Sequence, residues 1–435
     1  GTPCPVSNPT VPENEGLING SPDCQRVAIL NFLGDTVGID DGRPIKHPTE
    51  TLAALLKIDW SINDRNNLAV SWNFNHSKKE NETFDVPTFG NSANGIEGDP
   101  TRINVLNANL FSTISPSKVN EFHFTYSREV RPRTAAGSGL TADTGIGFSP
   151  SFRHGDPFFL QPNVDETFWR TQLRDTFTIV TGEHTIKMGG EWIHSLNDQV
   201  FRGFFTGRYL FGSAVGFLRY ASPAAPGGYG PNTLSCSDGS YVTAPASCPD
   251  GTAFTGGPLL LYLQDVGTGF PNVPPPGASR ISNDEFGFFL QDTWKVRPNL
   301  TLNYGLRWDA QLMPETVDPS TTAYAQFLDD PGFPSDGTIP DQWDMWQPRL
   351  GVAWDVTNDA KTLIRANWGI YNPRQNMLSQ VGSVTTNGLQ QRTEFRSSEL
   401  ASFGVPMPTW PGAFPETPNA PGEFPLFTGV RLFDK

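Results

Sequence analysis

The stretch "DEFGFFLQDTWKVRPNLTLNYGLRWDA", residues 284–310, alternates apolar and polar side chains, breaks once at a proline, and resumes the same alternation. One phase reads Phe286, Phe288, Leu290, Asp292, Trp294, Val296, then Leu300, Leu302, Tyr304, Leu306 and Trp308. The other carries Glu285, Gln291, Thr293, Lys295 and Arg297, then Asn299, Thr301, Asn303, Arg307 and Asp309. Successive side chains of a strand point to opposite faces, so this is a β-hairpin with one apolar and one polar face. The apolar face must leave water, against either protein or lipid, and that choice decides the fold class.

Four more segments repeat the plan. Leu56, Ile58, Trp60 and Ile62 answer Leu68, Val70, Trp72 and Phe74, with Lys57, Asp59, Ser61, Ser71, Asn73 and Asn75 on the other face. Leu106, Ala108, Leu110 and Ile114 precede a Ser-Pro-Ser turn and Phe122, Phe124 and Tyr126. A rougher hairpin runs from Trp169 to Ile179 and returns along Ile186, Met188 and Trp192; the last pairs Leu350, Val352, Trp354 and Val356 with Ile364, Ala366, Trp368 and Ile370. Long connections separate the five: about 78–101, 131–166, 198–283, 312–347 and everything after 372. Within 198–283, "RGFFTGRYLF" and "PLLLYLQDVG" add two strand candidates around a short helix at "GSAVGFLRY". The pattern predicts roughly twelve strands.

Short turns at one end of every hairpin and long loops at the other are the asymmetry of an antiparallel transmembrane β-barrel, with tight periplasmic turns and extended extracellular loops. Strands of about ten residues suffice to cross a bilayer at a tilt. Trp60, Trp72, Tyr126, Trp192, Trp294, Trp308, Trp354 and Trp368 lie on or near the apolar faces, where membrane-interface aromatics gather. Asp59, Asn73, Glu121, Arg307, Asp309, Arg349 and Arg365 would then face a hydrated lumen. No apolar run reaches the roughly 18 residues of a membrane-spanning helix. The alternatives are a secreted soluble β protein that binds or hydrolyses carbohydrate, or a surface adhesin that keeps a barrel and transports nothing. A soluble sandwich or propeller would seal the apolar face in a core and keep its loops short at both ends.

Thirty-one Lys and Arg against 45 Asp and Glu give a formal net charge of −14, which argues against a nucleic-acid partner. The four cysteines fall as two local pairs, Cys4 with Cys24 and Cys236 with Cys248, each in a polar, Pro/Gly/Ser-rich stretch. Local pairing is favoured among the three possible connectivities and implies an oxidising compartment. The chain opens "GTPCPVSNPT", without a basic and then apolar leader, so a signal peptide has been removed or this is an internal piece. Residues 1–50 read as a disulfide-bearing extracellular loop and lead-in, 51–372 as barrel hairpins, and 373–435 as a Pro/Gly-rich loop.

No enzyme is expected, nor any cofactor or metal. The six histidines are scattered without the i, i+4 spacing of a zinc site, and no nucleophile elbow, phosphate loop or dinucleotide fingerprint occurs. His123 beside Glu121 reads as a hydrated lumen pair. "DDGR" at Asp40 lacks the alternating ligands of a calcium loop. Asp284 and Glu285 point to opposite faces and cannot share a substrate. Phe158, Phe159, Phe204 and Phe205 are the candidate ligand contacts in the loops, with packing of the loops themselves equally able to account for them.

The segment "FGFFLQDTWKVRPNLTLNYGLRWD" resembles the barrel of TonB-dependent outer-membrane receptors, in particular the Oar-like group with a carboxypeptidase-regulatory-like domain ahead of the plug. Gln291, Asp292, Trp294, Pro298, Leu300, Leu302, Gly305, Leu306 and Arg307 occupy that pattern. "PRLGVAWDVTNDAKTLIRANWGIY" and "KMGGEWIHS" are similar to further strands of such barrels. The resemblance covers most of residues 50–372. It implies a barrel of about 22 strands around a plug, an N-terminal box that engages a TonB-type energy-coupling protein, and uptake or export of a large or scarce substrate. This chain supplies about half those strands and no plug or box, so it is expected to be a barrel fragment whose coupling region lies outside it.

Overall fold

The computed structural model describes residues 22–38, 46–80, 82–83, 95–97, 101–135, 142–147, 152–158, 163–201, 203–223, 229–267, 275–318, 320, 323–415 and 428–429. Two bodies of β structure dominate it. The first is a wall of ten long antiparallel strands in sequence order. They are β1 (Thr49–Asn63), β2 (Asn66–Lys79), β3 (Thr101–Ser115), β4 (Lys118–Val130) and β5 (Asn163–Thr181). The remainder are β6 (His184–Val200), β7 (Ala278–Arg297), β8 (Leu300–Leu312), β9 (Gln342–Asp355) and β10 (Leu363–Gly369). All five expected hairpins are present. Among the described residues, β1 and β10 form the two edges of this wall.

Register is the decisive property of the wall, because a one-residue slip would turn every side chain to the other face. One ladder row runs Ile58, Val70, Ala108, Phe124, Leu173, Trp192, Phe286. Another runs Phe177, Met188, Leu290, Leu306. The apolar phases of neighbouring strands therefore coincide, and one face of the whole sheet is apolar. That face is exposed: Ile58 shows 69% of its surface and Leu290 55%. Two residues turn four of the hairpins, as between Asn63 and Asn66, and the left-handed Gly182 (φ +56°) supplies the bend between β5 and β6.

The strands are longer than expected. β5, β6 and β7 hold 19, 17 and 20 residues, whereas about ten suffice to cross a bilayer, so they rise beyond it at the loop end. The two additional candidates are strands, but not of the wall. They become Arg208–Phe211 and Leu259–Val266 in a six-stranded sheet with Asp143–Ile146, Phe152–His154, Arg392–Arg396 and Thr428–Gly429. Among the described residues the wall thus has ten long strands, and two of the roughly twelve expected strands lie in the second sheet.

That second sheet carries its own core. Helix α1 (Pro22–Phe32) contributes Ala28, Ile29 and Phe32; helix α2 (Ala214–Ala221) contributes Phe217, Leu218 and Tyr220. Tyr209, Phe211, Leu259, Tyr262 and Trp410 complete it, all nearly inaccessible. Burying each such side chain contributes about 1.5–3 kcal/mol. Ser213 caps α2 by accepting from the Gly216 amide at 3.0 Å. The long connections are therefore a folded cap, assembled from segments that the sequence pattern reads as separate loops.

Candidate functional site on the inner wall

The face opposite the apolar belt is polar on every strand, and its charges meet on β5 to β9. Arg307 on β8 donates through Nε to Asp309 Oδ2 at 2.9 Å and lies 3.6 Å from Glu191 Oε2 on β6. Gln347 on β9 donates to Asp309, and Arg349 donates to Gln347 Oε1 at 3.2 Å. Gln172 on β5 donates to Glu191 Oε1 at 3.0 Å. Gly287 makes room for this network, since a Cβ at its position would collide with the Arg307 guanidinium and the Asp309 carboxylate.

A further cation arrives from outside the wall. Beyond β10 the chain turns back over the inner face, and Arg374 reaches Glu285 on β7 at 2.9 Å and Glu191 on β6 at 3.8 Å. Four strand spacings separate β10 from β6, roughly 19 Å. Gln311 holds this strap by its backbone, donating to the Gln375 carbonyl at 2.8 Å and accepting from its amide at 3.0 Å. Helix α3 (Met377–Thr385) follows and packs against β7. Three carboxylates, Glu191, Glu285 and Asp309, thus meet two guanidiniums, Arg307 and Arg374, and Arg349 joins them through Gln347. Toward the turn end the same face opens a recess of about 460 Å³, lined in part by Glu121, Arg174, Lys187, Arg307 and Arg349.

Of the expected lumen residues, Arg307, Asp309 and Arg349 join this network, while Glu121 lines the recess and lies 3.8 Å from His123. His123 also meets Asn109 Oδ1 at 2.7 Å. Among the described residues, Asp59 pairs with Lys57 on its own strand, at 3.0 Å, and Asn73 and Arg365 lie on the polar phases of β2 and β10, away from the cluster. Glu191, Glu285, Gln347 and Arg374 were missed. The first three sit in the polar phase of strands already recognised; Arg374 follows the last patterned strand, where no periodicity marks it. Asp284 and Glu285 do face opposite ways: Asp284 accepts from Trp192 Nε1 at 3.0 Å on the apolar face.

In the cap, Phe158 and Phe204 stack with ring centroids 5.0 Å apart, and the Arg208 guanidinium lies 4.0 Å from the Phe158 ring. Phe205 is half-buried and its carbonyl faces Gln264 Nε2. These three are half-buried in the cap, and Phe159 lies outside the described residues. Beneath Phe158, Arg153 and Asp143 form a two-point ion pair at 2.8 and 3.0 Å with both side chains wholly inaccessible. Arg208 Nε lies 3.2 Å from the same carboxylate. Burial raises the carboxyl of Asp156 nearby to about 6, against a smaller opposing effect of His154. Cys236 and Cys248 form a disulfide that closes the small sheet of Thr233–Cys236, Tyr241–Thr243 and Phe254–Gly256. Cys24 is disulfide-bonded, and Cys4 lies outside the described residues. No group of three potential metal ligands occurs among the described residues.

All eight expected interface aromatics, Trp60, Trp72, Tyr126, Trp192, Trp294, Trp308, Trp354 and Trp368, stand on the apolar face, opposite the charged network. A family model described as an outer membrane beta barrel domain matches residues 44–435. The chain belongs to this outer-membrane β-barrel family. Its short turns are periplasmic, its cap is extracellular, and its apolar face meets lipid. A soluble β protein would have sealed that face inside, so the soluble alternative falls.

Among solved structures, this barrel domain is similar to the outer-membrane transporter YddB from Escherichia coli, at 10% identity and TM-score 0.41 over 82% of this chain and 38% of that one. It is also similar to the alcaligin outer-membrane receptor FauA from Bordetella pertussis, at 9% identity and TM-score 0.40 over 82% and 41%. The copper transporter OprC matches at 10% identity and TM-score 0.41 over 81% and 42%. The chain spans about two-fifths of the length of these structures. No functionally curated protein matches it.

Proposed function

We propose that this domain is part of the barrel of a TonB-dependent transporter, in which a large or scarce substrate is bound at the extracellular cap and passes along the charged inner wall. The observation that carries it is the inner wall itself: a network spanning β5 to β9, tied by Arg374 to a strap that runs through the lumen side. Arg374 is 36% exposed, so the ion pairs that hold the strap are ones that water can reach and exchange. The Gln291–Asp292–Trp294 and Leu300–Arg307 pattern supports the TonB-dependent class, and within it the Oar-like group. Energy coupling then falls to a plug and box carried by the rest of the protein, and the substrate enters from outside.

The test is genetic. Deleting the full-length gene in its host should abolish growth on one scarce nutrient, and deleting the energy-coupling protein should reproduce that defect. If uptake of every nutrient survives deletion of the receptor while surface attachment fails, the protein is an adhesin and the transport proposal is overturned.

A further inference from the structure

Helix α3 lies on the inner wall by its polar side. Its buried residues are Gln380, Val381, Ser383 and Thr385, of which Val381 alone is apolar, while Leu378 turns outward at 76% exposure. A helix that belongs permanently to a core buries the opposite stripe. The contacts beneath α3 are also poor. Gln380 Nε2 and Asn283 Nδ2, the latter on the inner phase of β7, share one acceptor, Met313 Sδ, at 3.5 and 3.4 Å. A thioether sulfur accepts weakly. The amide oxygens of the same two side chains, Gln380 Oε1 and Asn283 Oδ1, have no donor and no contact with solvent. Asn197, whose Oδ1 is likewise unpartnered, shares with Met377 and Val381 a hollow of about 280 Å³ between α3 and the wall. Each of these oxygens has given up water and received no hydrogen bond in return, which makes the docked position costly.

The two ends of the strap are held unequally. Residues 385–391, at its far end, are buried throughout. Gln390 Nε2 donates to the carbonyls of Pro275 and Ala278 at 2.6 Å each, where β7 begins, and Thr393 Oγ1 donates to Asp265 Oδ1 in the second sheet at 2.6 Å. Gly388, with φ +85°, makes the turn between the helix and that sheet. The near end is clipped rather than buried. Residues 371–379 are exposed or half-buried, and they meet the wall through the ion pairs of Arg374 and the hydrogen bonds between Gln311 and Gln375. The strap is therefore an arm anchored beyond Thr385 and latched at Arg374.

We propose that the strap and α3 form a hinged gate over the inner wall, latched by Arg374 and poised to open because its closed position leaves buried amides unpaired. Opening returns Gln380, Asn283 and Asn197 to water and releases Glu191 and Glu285 from Arg374. It also clears about 10 Å, the width of a helix, from the space in front of β5 to β7. As a gate the device deepens the transport proposal and rests on it, whereas the motion belongs to this chain whatever passes.

The test uses the full-length protein in detergent micelles, with amide hydrogen exchange followed over residues 371–385. Gln380→Met keeps the length and helix propensity of the side chain and removes the unpaired oxygen. Exchange over 377–385 should slow about threefold or more, because closing no longer strands that oxygen away from water. A helix held in place by its polar contacts responds in the opposite direction. Leu378→Gln, on the outward side, should leave the rates unchanged. Acceleration or no change in Gln380→Met overturns the proposal, as does a change in Leu378→Gln as large as the one expected of Gln380→Met. If Gln380→Met does not fold, salt decides on the unaltered protein. Raising NaCl from about 50 to about 500 mM screens the latch and should speed exchange over 371–385 about twofold or more with β7 unchanged, and equal rates overturn the proposal. In the host, Gln380→Met should slow uptake of the nutrient that depends on the receptor, and unchanged uptake beside slowed exchange ends its role as a gate. A receptor whose deletion spares every nutrient removes the transport reading, whereas exchange that fails to slow removes the gate and leaves that reading standing.

Discussion

Removing Asp143 tests whether the cap is a true folded body. The Asp143→Ala substitution takes from Arg153 a carboxylate that it meets at two points, inside a site where neither side chain touches solvent. It also takes the carboxylate from Arg208, 3.2 Å away. Breaking a buried pair by deleting one partner costs about 3–5 kcal/mol, because the remaining charge stays desolvated. Hydrogen exchange limited by opening of the cap should then accelerate by roughly two to nearly four orders of magnitude in peptides covering 142–158 and 204–223. Exchange in β7 and β8 should not change, since those strands take their hydrogen bonds from a different sheet. The double variant Asp143→Ala/Arg153→Met should recover much of the loss, since it removes the more deeply buried of the two stranded charges and leaves the partly exposed Arg208. Acceleration below tenfold, or a double variant as damaged as the sum of its singles, would refute the account of the cap as a cooperative body keyed by this pair.

Leu290→Arg on the lipid face should weaken insertion of the refolded protein by about 2–4 kcal/mol, whereas Gln291→Arg, one residue along and facing the lumen, should cost little; folding yield in vesicles separates the two. Arg374→Ala should speed exchange across residues 371–396 while changing global stability by about 1 kcal/mol or less, because Arg374 is 36% exposed and its ion pairs are screened. Asp156 binds its proton more tightly in the folded cap than in the unfolded chain, so its contribution is complete below the ordinary carboxylate range and is lost as pH rises through about 6. The rise from the ordinary carboxylate range to about 6 corresponds to about 3 kcal/mol, so Asp156→Asn should flatten the fall in cap stability between pH 4 and pH 7, measured by exchange or by denaturant.

The wall was legible because its physics is local. Alternation in each strand depends only on which face meets lipid, and the turns at Asn63–Asn66 and around Pro298 announce themselves in composition. Strand length was not legible, since β7 begins with "ASRISN", where both faces have left the membrane and the apolar phase disappears. The cap escaped for a different reason. Helix α1, "PDCQRVAILNF", has its apolar residues at Ala28, Ile29 and Phe32, a spacing that marks one helical face, yet nothing nearby says what covers that face. Its partners, Phe217 and Trp410, lie about two hundred residues or more away in the chain. Arg374 is harder still, because an ion pair across four strand spacings leaves no trace in periodicity.

The Trp410 indole that donates to Thr144 closes a contact across 266 positions of sequence, and the Tyr209 hydroxyl reaches Gly412 across 203. Contacts of that separation form slowly, after the loops between them have been gathered in. The cap must therefore close late in assembly, with the hairpins between Thr144 and Trp410 already laid down as its foundation. Exchanging one of its loops for that of another outer-membrane barrel would leave half of a shared interior without its counterpart, so the surface presented to the outside can change only when several distant stretches change together.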